Sequence, residues 1–241
     1  MPQIYKVGGH VRDRLLGLES KDIDFTFVSD NLEQTVEEGF QDMLWYLREE
    51  GYKIFLTTPE MYTIRAKFPQ DHICKGLSAD FVMARKEVGY IEGTRRPVLA
   101  LGTLYDDLLR RDFTINAMAQ DLDGNIIDPF NGQEDLKRRI LKTPQSVQKS
   151  FDDDPLRILR AIRFAITKDM TIPTEMAYAI MNYDYNNKMS VVSIERIREE
   201  LYRCFKYDTL VTLSYLDQFL ELSDYIFRNN GLWLEPTLKQ R

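Results

Sequence analysis

The sequence contains few of the residues that build disulfide frameworks or structural zinc sites. Its 241 residues include two cysteines, Cys74 and Cys204, and two histidines, His10 and His72, and no CxxC pair occurs. A structural zinc site is therefore excluded, and a disulfide framework is not expected. No run approaches the roughly 18 uninterrupted apolar residues that a membrane helix needs. The N-terminal segment MPQIYKVGGH lacks the basic and apolar parts of an export signal. These absences predict a cytoplasmic protein without a membrane partner.

An excess of basic charge is also absent. The net charge at pH 7 is −6, from 32 basic and 38 acidic residues, which argues against a protein that coats nucleic acid by bulk electrostatic attraction. Residues 1–84 carry −5, residues 85–168 carry +2 and residues 169–241 carry −3. The positive middle segment is compatible with a local anion site. Its basic residues include Arg85, Lys86, Arg95, Arg96, Arg110, Arg111, Lys137, Arg138, Arg139, Arg157, Arg160 and Arg163.

The first 130 residues alternate between strand patterns and helical patterns. Apolar spacing predicts helices over 11–18 and over 32–51, the second with Leu44, Trp45 and Leu47 on its apolar side and Gly51 at its end. A turn is predicted at 123–125, between the apolar runs 117–122 and 126–127. Short apolar, aromatic and β-branched runs predict the strands, which cover residues 4–7, 24–28, 54–56, 62–68 and 79–83.

The pattern becomes wholly helical from about Phe151. Helices are predicted over 155–165, over 194–205 with Ser193 as N-cap, and over 215–227. A polar stretch around Pro144 separates the two patterns. We therefore predict two domains, residues 1–145 and residues 146–241.

A glycine pair and a carboxylate pair follow each other near the start of the chain. Gly8 and Gly9 stand between a predicted strand and a predicted helix, where the backbone can approach a phosphate closely. Asp22 and Asp24 project from one face of the next strand, because side chains alternate with period two. Paired carboxylates are ligands that Mg²⁺ prefers. Each half is also typical of a structural turn or of solvated acids, but their succession favours a metal–phosphate site.

Two further clusters combine cations with hydrogen-bonding side chains. Arg110-Arg111-Asp112, followed by Asn116, can clamp phosphates and bind ribose hydroxyls, or can be a solvated charge cluster at a helix start. Asp154 and Arg157 stand three residues apart on a predicted helix. Such a pair can recognise the edge of a base, or can be a surface salt bridge of small energetic value.

Five segments, in the order and spacing of one family, extend over residues 4–165. They are GGHVRD, KDIDF, RRDFTINAMA, GNIIDPFNGQEDLKRRILKT and DDPLRILRAIRFA. Together they resemble the class II tRNA nucleotidyltransferases and bacterial poly(A) polymerases of the polymerase-β-like superfamily. The resemblance implies an α+β fold, with a catalytic head built on a small mixed β-sheet, an all-helical neck and a short C-terminal helical part.

The resemblance also implies roles for individual residues. Asp22 and Asp24 would hold two Mg²⁺ ions, and Asp80 would be the third carboxylate of the catalytic set. The residues implied to cradle the triphosphate are Gly8, Gly9 and Arg12. Those implied at the phosphates and the ribose of the incoming nucleotide are Arg111, Asp112 and Asn116. The pair implied to recognise the base is Asp154 and Arg157, with Arg160 beside it.

The implied reaction is template-independent addition of CMP and AMP, from CTP and ATP, to the 3′ acceptor end of tRNA. Addition of A alone, of C alone or of a poly(A) tail remains open, as do a protein or small-molecule acceptor and a non-catalytic RNA-binding module. Two features depart from the family pattern. Asp153 replaces the usual glutamate of the base-recognition motif, and only residues 166–241 follow the last strong motif. The chain could accordingly bind the acceptor end alone, dimerise or act on a different RNA.

Overall fold

The computed structural model describes residues 2–20, 22–90, 97–229 and 231–232. The chain is divided into two compact units, Met1–Glu134 and Asp135–Arg241. The predicted domain boundary after residue 145 lies further along the chain and stays a prediction. Lys21 of the KDIDF segment and the basic residues Arg95 and Arg96 lie outside the described residues.

The first unit is built on a mixed seven-stranded sheet with strand order β3-β4-β5-β2-β1-β8-β9. Strands β2 and β5 are parallel, whereas the other neighbours pair antiparallel. The strands are β1 (Gln3–Val7), β2 (Ile23–Val28), β3 (Lys53–Thr58), β4 (Thr63–Lys67), β5 (Ser78–Met83), β6 (Arg85–Tyr90), β7 (Pro97–Leu101), β8 (Ala119–Gln120) and β9 (Ile126–Ile127). The pair β6–β7 forms a separate two-stranded sheet that sequence patterning missed.

Helices α1 (Gly9–Leu15), α2 (Val36–Glu49) and α3 (Leu104–Leu109) accompany this sheet, and α4 (Gly132–Lys137) follows it. The prediction that Trp45 lies on the apolar side of α2 is wrong, because its side chain is 63% exposed. Leu44 is partly buried against the core. The buried residues of α2 recur every three or four positions and so form one face of the helix, which does not include Trp45. These buried residues include Val36, Phe40, Met43 and Leu47.

A close backbone contact fixes the turn that contains the RRDFTINA segment. Thr114–Asn116 forms a single 3₁₀ turn after α3. A Cβ atom on Gly132 would stand 2.2 Å from the Thr114 carbonyl oxygen, so only glycine permits this approach. The segment therefore lies in a buried turn and not at the start of a helix.

The second unit is helical. Its helices are α5 (Val147–Asp153), α6 (Leu156–Lys168), α7 (Thr174–Met181), α8 (Tyr185–Lys188), α9 (Ile194–Tyr207), α10 (Thr209–Gln218) and α11 (Leu220–Ser223), and a π-helical turn follows at Asp224–Asn229. The prediction of one helix over 215–227 is wrong, since the backbone of Phe219 is not helical. The Ser223 hydroxyl donates a 2.6 Å hydrogen bond to the Leu216 carbonyl oxygen beside this break, which satisfies an acceptor at the helix end. None of the helices that the structure describes is long and apolar enough to span a membrane.

Candidate functional site

Three predicted acidic residues line one cavity near the amino ends of β2 and β5. Asp24 lies opposite Asp80 in the parallel pairing of these strands, and Asp22 stands immediately before β2. Ile23 is buried in the core, and this stretch of β2 lines the cavity together with its two acidic neighbours. The cavity encloses about 370 Å³ and is also lined by Arg65. The structure therefore brings together the residues predicted to be catalytic.

The electrostatics of this cavity favour a bound cation. Burial raises the pKa of Asp24, the guanidinium group of Arg111 opposes that rise, and the carboxylates of Asp80 and Asp22 raise it further. The charge of Arg65 makes a smaller opposing contribution. A carboxylate with a raised pKa among other carboxylates is stabilised by added positive charge.

The glycine turn places a cation beside the carboxylates. Gly8 has φ +69°, a conformation that glycine adopts without strain. A Cβ atom there would stand 3.0 Å from Nη1 of Arg111 and 3.9 Å from Oδ2 of Asp24. Nε of Arg111 is buried and has no hydrogen-bond partner within the described part of the chain. The turn therefore permits a guanidinium group with an unused donor to lie next to the acidic cavity, an arrangement that suits an anionic ligand.

A buried hydrogen-bond network joins the first predicted cluster to the second. Nη1 of Arg12 donates to Oδ1 of Asn116 at 2.6 Å, and Nδ2 of Asn116 donates to Oδ1 of Asp112 at 2.9 Å. All three side chains are buried. Hydrogen bonds thus join the segments around residues 12 and 112, although they are far apart in sequence. Gly9 lies in the same region, since a Cβ atom added there would stand 3.5 Å from Nη2 of Arg12.

Sequence reasoning missed Asp107, whose side chain lies against Arg111 of the site. Its carboxylate is buried and accepts hydrogen bonds from Arg110 (2.7 Å), Arg111 (2.9 Å) and the Thr26 hydroxyl (2.8 Å). Burial would raise the pKa of Asp107, but the guanidinium groups of Arg111 and Arg110 outweigh burial and lower the pKa to about 2. The sequence contained a signal for this contact: Asp107 precedes Arg110 by three residues and Arg111 by four, a spacing at which side chains on a helix meet. Asp107 orients Arg111 towards the glycine turn.

Arg65 is a second residue that sequence reasoning missed. It faces Asp80 across the antiparallel pair β4–β5. Its Nε and Nη2 atoms lie 2.5 Å and 2.6 Å from the two carboxylate oxygens of Asp80. Among the described residues, no group of three or more carboxylate, thiol or imidazole side chains is arranged to hold a metal ion. Of the acidic residues of the cavity, Asp80 is the one engaged by Arg65.

The predicted base-recognition residues lie in the second unit. The prediction that Asp154 shares a helix face with Arg157 is wrong: Asp154 has extended backbone before α6, because the following Pro155 disfavours helical geometry there. Its side chain accepts from Nη2 of Arg196 at 3.4 Å. Nη1 of Arg157 donates to the hydroxyl and carbonyl oxygens of Ser150 at 2.9 Å and 3.2 Å.

Arg160, predicted beside this pair, stands near a buried glutamate. Its Nη1 atom lies 3.8 Å from Oε1 of Glu200 on α9, while Arg163 donates to the other oxygen of Glu200 at 2.5 Å. Arg160 therefore belongs to the α6–α9 contact as well as to the neighbourhood of the predicted pair.

Residues 4–142 match the family model described as the poly A polymerase head domain. The chain belongs to this family. The multifunctional CCA protein of Neisseria gonorrhoeae is 38% identical over 201 residues, which are 83% of this chain and 43% of that protein. This poly A polymerase family member therefore spans less than half of the curated relative.

Solved structures of CCA-adding enzymes show the same fold. The Bacillus stearothermophilus enzyme in complex with CTP has 26% identity and a TM-score of 0.66, over 96% of this chain and 49% of that one. The Thermotoga maritima enzyme complexed with tRNA has 27% identity and a TM-score of 0.69, over 98% of this chain and 50% of that one. The predicted fold class, a polymerase-β-like head with a mixed sheet followed by helices, is confirmed.

The poly A polymerase head of this chain has side chains that fit Mg²⁺. Asp22 and Asp24 offer oxygen ligands into one cavity, and burial together with the neighbouring carboxylates raises the pKa of Asp24. Mg²⁺ sites in phosphate-transferring enzymes need one or two protein carboxylates, since substrate phosphates and water complete the shell. The two carboxylates beside the Gly8 turn meet that requirement.

Proposed function

We propose that the chain contains a nucleotidyltransferase centre that adds CMP and AMP, from CTP and ATP, to the 3′ end of tRNA. One observation carries the proposal: the carboxylates of Asp22 and Asp24 line a cavity beside the Gly8 turn and the guanidinium group of Arg111. Phosphoryl transfer needs metal-binding carboxylates and a phosphate-binding cation side by side. The names of the similar proteins, which are CCA proteins and CCA-adding enzymes, support the choice of substrates.

The residues of the head act mainly by binding and orientation. Arg111 neutralises charge on the triphosphate, and Asp107 keeps its guanidinium group in place. Arg12, Asp112 and Asn116 form a rigid support for the ribose and the phosphates, because their mutual hydrogen bonds are buried. Such preorganisation lowers the barrier without rearrangement during the reaction.

The carboxylates prepare the attack of the primer 3′-hydroxyl on the α-phosphate: the hydroxyl loses its proton, the new O–P bond forms, and the bond to the leaving pyrophosphate breaks. Asp22 and Asp24 would hold Mg²⁺, with Asp80 as the third acidic residue of the set. When bound, Mg²⁺ supplies charge neutralisation at the phosphates and a lower pKa for the attacking hydroxyl. Dependence on this ion, like the cytoplasmic location and self-association of the chain, stays a prediction.

Incorporation of label tests the proposal. The chain is incubated with Mg²⁺ and radiolabelled CTP or ATP in the presence of tRNA, and the products are separated into RNA and protein fractions. We expect label on RNA only, and none when Mg²⁺ is removed with a chelator. Label on protein would identify a different acceptor class. Absence of label from both fractions would favour the non-catalytic RNA-binding module and contradict the proposal.

Base selection is expected to depend on Arg157. Arg157→Ala removes a guanidinium group that the Ser150 oxygens hold in place, and with it the hydrogen bonds proposed to distinguish bases. One good base contact contributes about 1–3 kcal/mol of discrimination. We expect the preference for CTP over UTP to fall roughly 10- to 100-fold, while the affinity for the triphosphate changes less than about threefold. The measurement is kcat/KM for each nucleotide.

Arg203→Ala is the matched control, because Arg203 forms an exposed ion pair with Glu199 in the same unit. It should keep both nucleotide preference and affinity. An unchanged CTP preference in Arg157→Ala would refute the assignment of Arg157 to the base.

A further inference from the structure

Asp80 is held at two points by an arginine from the neighbouring strand. Arg65 and Asp80 are direct partners in the β4–β5 register. The contacts from Nε and Nη2 of Arg65 are short, at 2.5 Å and 2.6 Å, and each uses a different carboxylate oxygen of Asp80. This two-point geometry is the strongest arrangement of an arginine with a carboxylate. The pair fixes the orientation of Asp80 at the edge of the acidic cavity.

The fold does not require an arginine at this position. Along β4 the side chains alternate, with Ile64 and Ala66 buried in the core and Arg65 exposed on the other face. An exposed cross-strand ion pair contributes little to stability, so many polar residues would serve on this face. Stability therefore does not explain why an arginine stands at this position, and we attribute its place at the cavity to function.

The charge of Arg65 acts on the whole acidic cavity. Its pKa is raised first by the hydrogen bonds and charge of Asp80, and then by the charges of Asp22 and Asp24. Asp24 is in turn the register partner of Asp80. The guanidinium group of Arg65 thus places positive charge near Asp22 and Asp24, which would hold a divalent cation. It also binds both carboxylate oxygens of Asp80.

We propose that Arg65 is a positioning residue that holds Asp80 in an ion pair and gives it up when a divalent cation binds at Asp22 and Asp24. This inference rests on the proposed function. In this account Arg65 competes with the cation, because both positive charges use Asp80 and repel each other. The ion pair keeps the third carboxylate ordered before the cation arrives and weakens cation binding.

Titration with Mn²⁺ tests the inference without any reaction. Mn²⁺ prefers the same oxygen ligands as Mg²⁺, and the free ion can be counted from its electron paramagnetic resonance signal. Removing one positive charge several ångströms from a divalent ion at a solvent-exposed site strengthens binding on the order of tenfold. We expect Arg65→Gln to bind Mn²⁺ about tenfold more tightly than the unmodified chain.

Two controls separate competition from a general charge effect. Arg203→Gln removes an arginine from an exposed ion pair in the other unit and should leave Mn²⁺ affinity unchanged. In an Asp80→Asn background, the effect of Arg65→Gln should fall below about threefold, because Asp80 no longer holds the guanidinium group beside the cation.

The outcomes distinguish this inference from the proposed function. Equal or weaker Mn²⁺ binding by Arg65→Gln, with Mn²⁺ still bound by the unmodified chain, would overturn the role of Arg65 and leave nucleotidyl transfer intact. No Mn²⁺ binding by either protein would overturn the role of Arg65 and the metal site together. Tighter binding that persists at full size in the Asp80→Asn background would also overturn it.

Discussion

Asp24→Asn is expected to reduce nucleotide incorporation at least about a thousandfold, equivalent to about 4 kcal/mol of barrier. Asparagine has nearly the same shape as aspartate but lacks its charge. Asp24 lies between Asp80 in the strand register and the Gly8 turn beside Arg111, so its loss removes the central metal ligand of the proposed site. The measurement is the single-turnover rate of CMP addition at saturating CTP and Mg²⁺.

The control is Asp123→Asn, the same chemical change at an exposed turn of the same unit. It should leave the rate unchanged. The free energy of unfolding of Asp24→Asn should be equal to or higher than that of the unmodified chain, because burial penalises the charged form of Asp24. An Asp24→Asn variant that retains more than a tenth of the rate would exclude this carboxylate from the catalytic set.

Asp107→Asn is expected to lower the free energy of unfolding by about 2–3 kcal/mol, because it removes a buried carboxylate that accepts hydrogen bonds from Arg110 and Arg111, whose side chains are 41% and 22% exposed. Arg110, Arg111 and Thr26 all donate to this one buried group. Denaturant titration measures the loss of stability. Since Arg111 also loses its orientation, the affinity for CTP should fall about tenfold, which equilibrium binding of labelled CTP measures.

The pH dependence of that stability difference has a definite sign. The folded-state pKa of Asp107 is lowered from 3.8 to about 2, so its contribution is fully present above pH 4 and is lost as the pH falls through 2. The gap between the unmodified chain and Asp107→Asn should shrink by about 2 kcal/mol over that range. Asp106→Asn, which alters the capping box at the start of α3, is the control for the change itself and should cost under about 1 kcal/mol. A gap that stays constant from pH 4 to pH 2 would contradict the assignment.

Local patterning in the sequence predicted the part of the site that is built from adjacent residues. Period-two alternation predicted that Asp22 and Asp24 would face one side, and they line one cavity. The glycine pair predicted a tight turn, and Gly8 has the positive φ that such a turn needs. Both inferences depend on backbone geometry within a few residues, which the sequence determines directly.

Contacts between distant segments were not predictable in this way. The Arg65–Asp80 pair depends on the register of β4 and β5, and the Arg12–Asn116 bond joins two ends of the head. The strands β6 and β7 lack a clear alternation, and a bulge shifts their register. Asp154 has extended backbone just before α6, because the residue before a proline is restricted. In each case tertiary pairing or a backbone restriction prevailed over local periodicity.

The most direct test of the central claim is primer extension on three tRNA transcripts, which end before CCA, after C and after CC. Each transcript is incubated with Mg²⁺ and CTP, ATP or both, and the products are resolved to single nucleotides. We predict that CTP adds the missing C residues, that ATP adds the final A only after CC, and that extension then stops. Addition of one nucleotide type or unlimited A tailing would contradict CCA addition, and no extension of any transcript would contradict nucleotidyl transfer to tRNA.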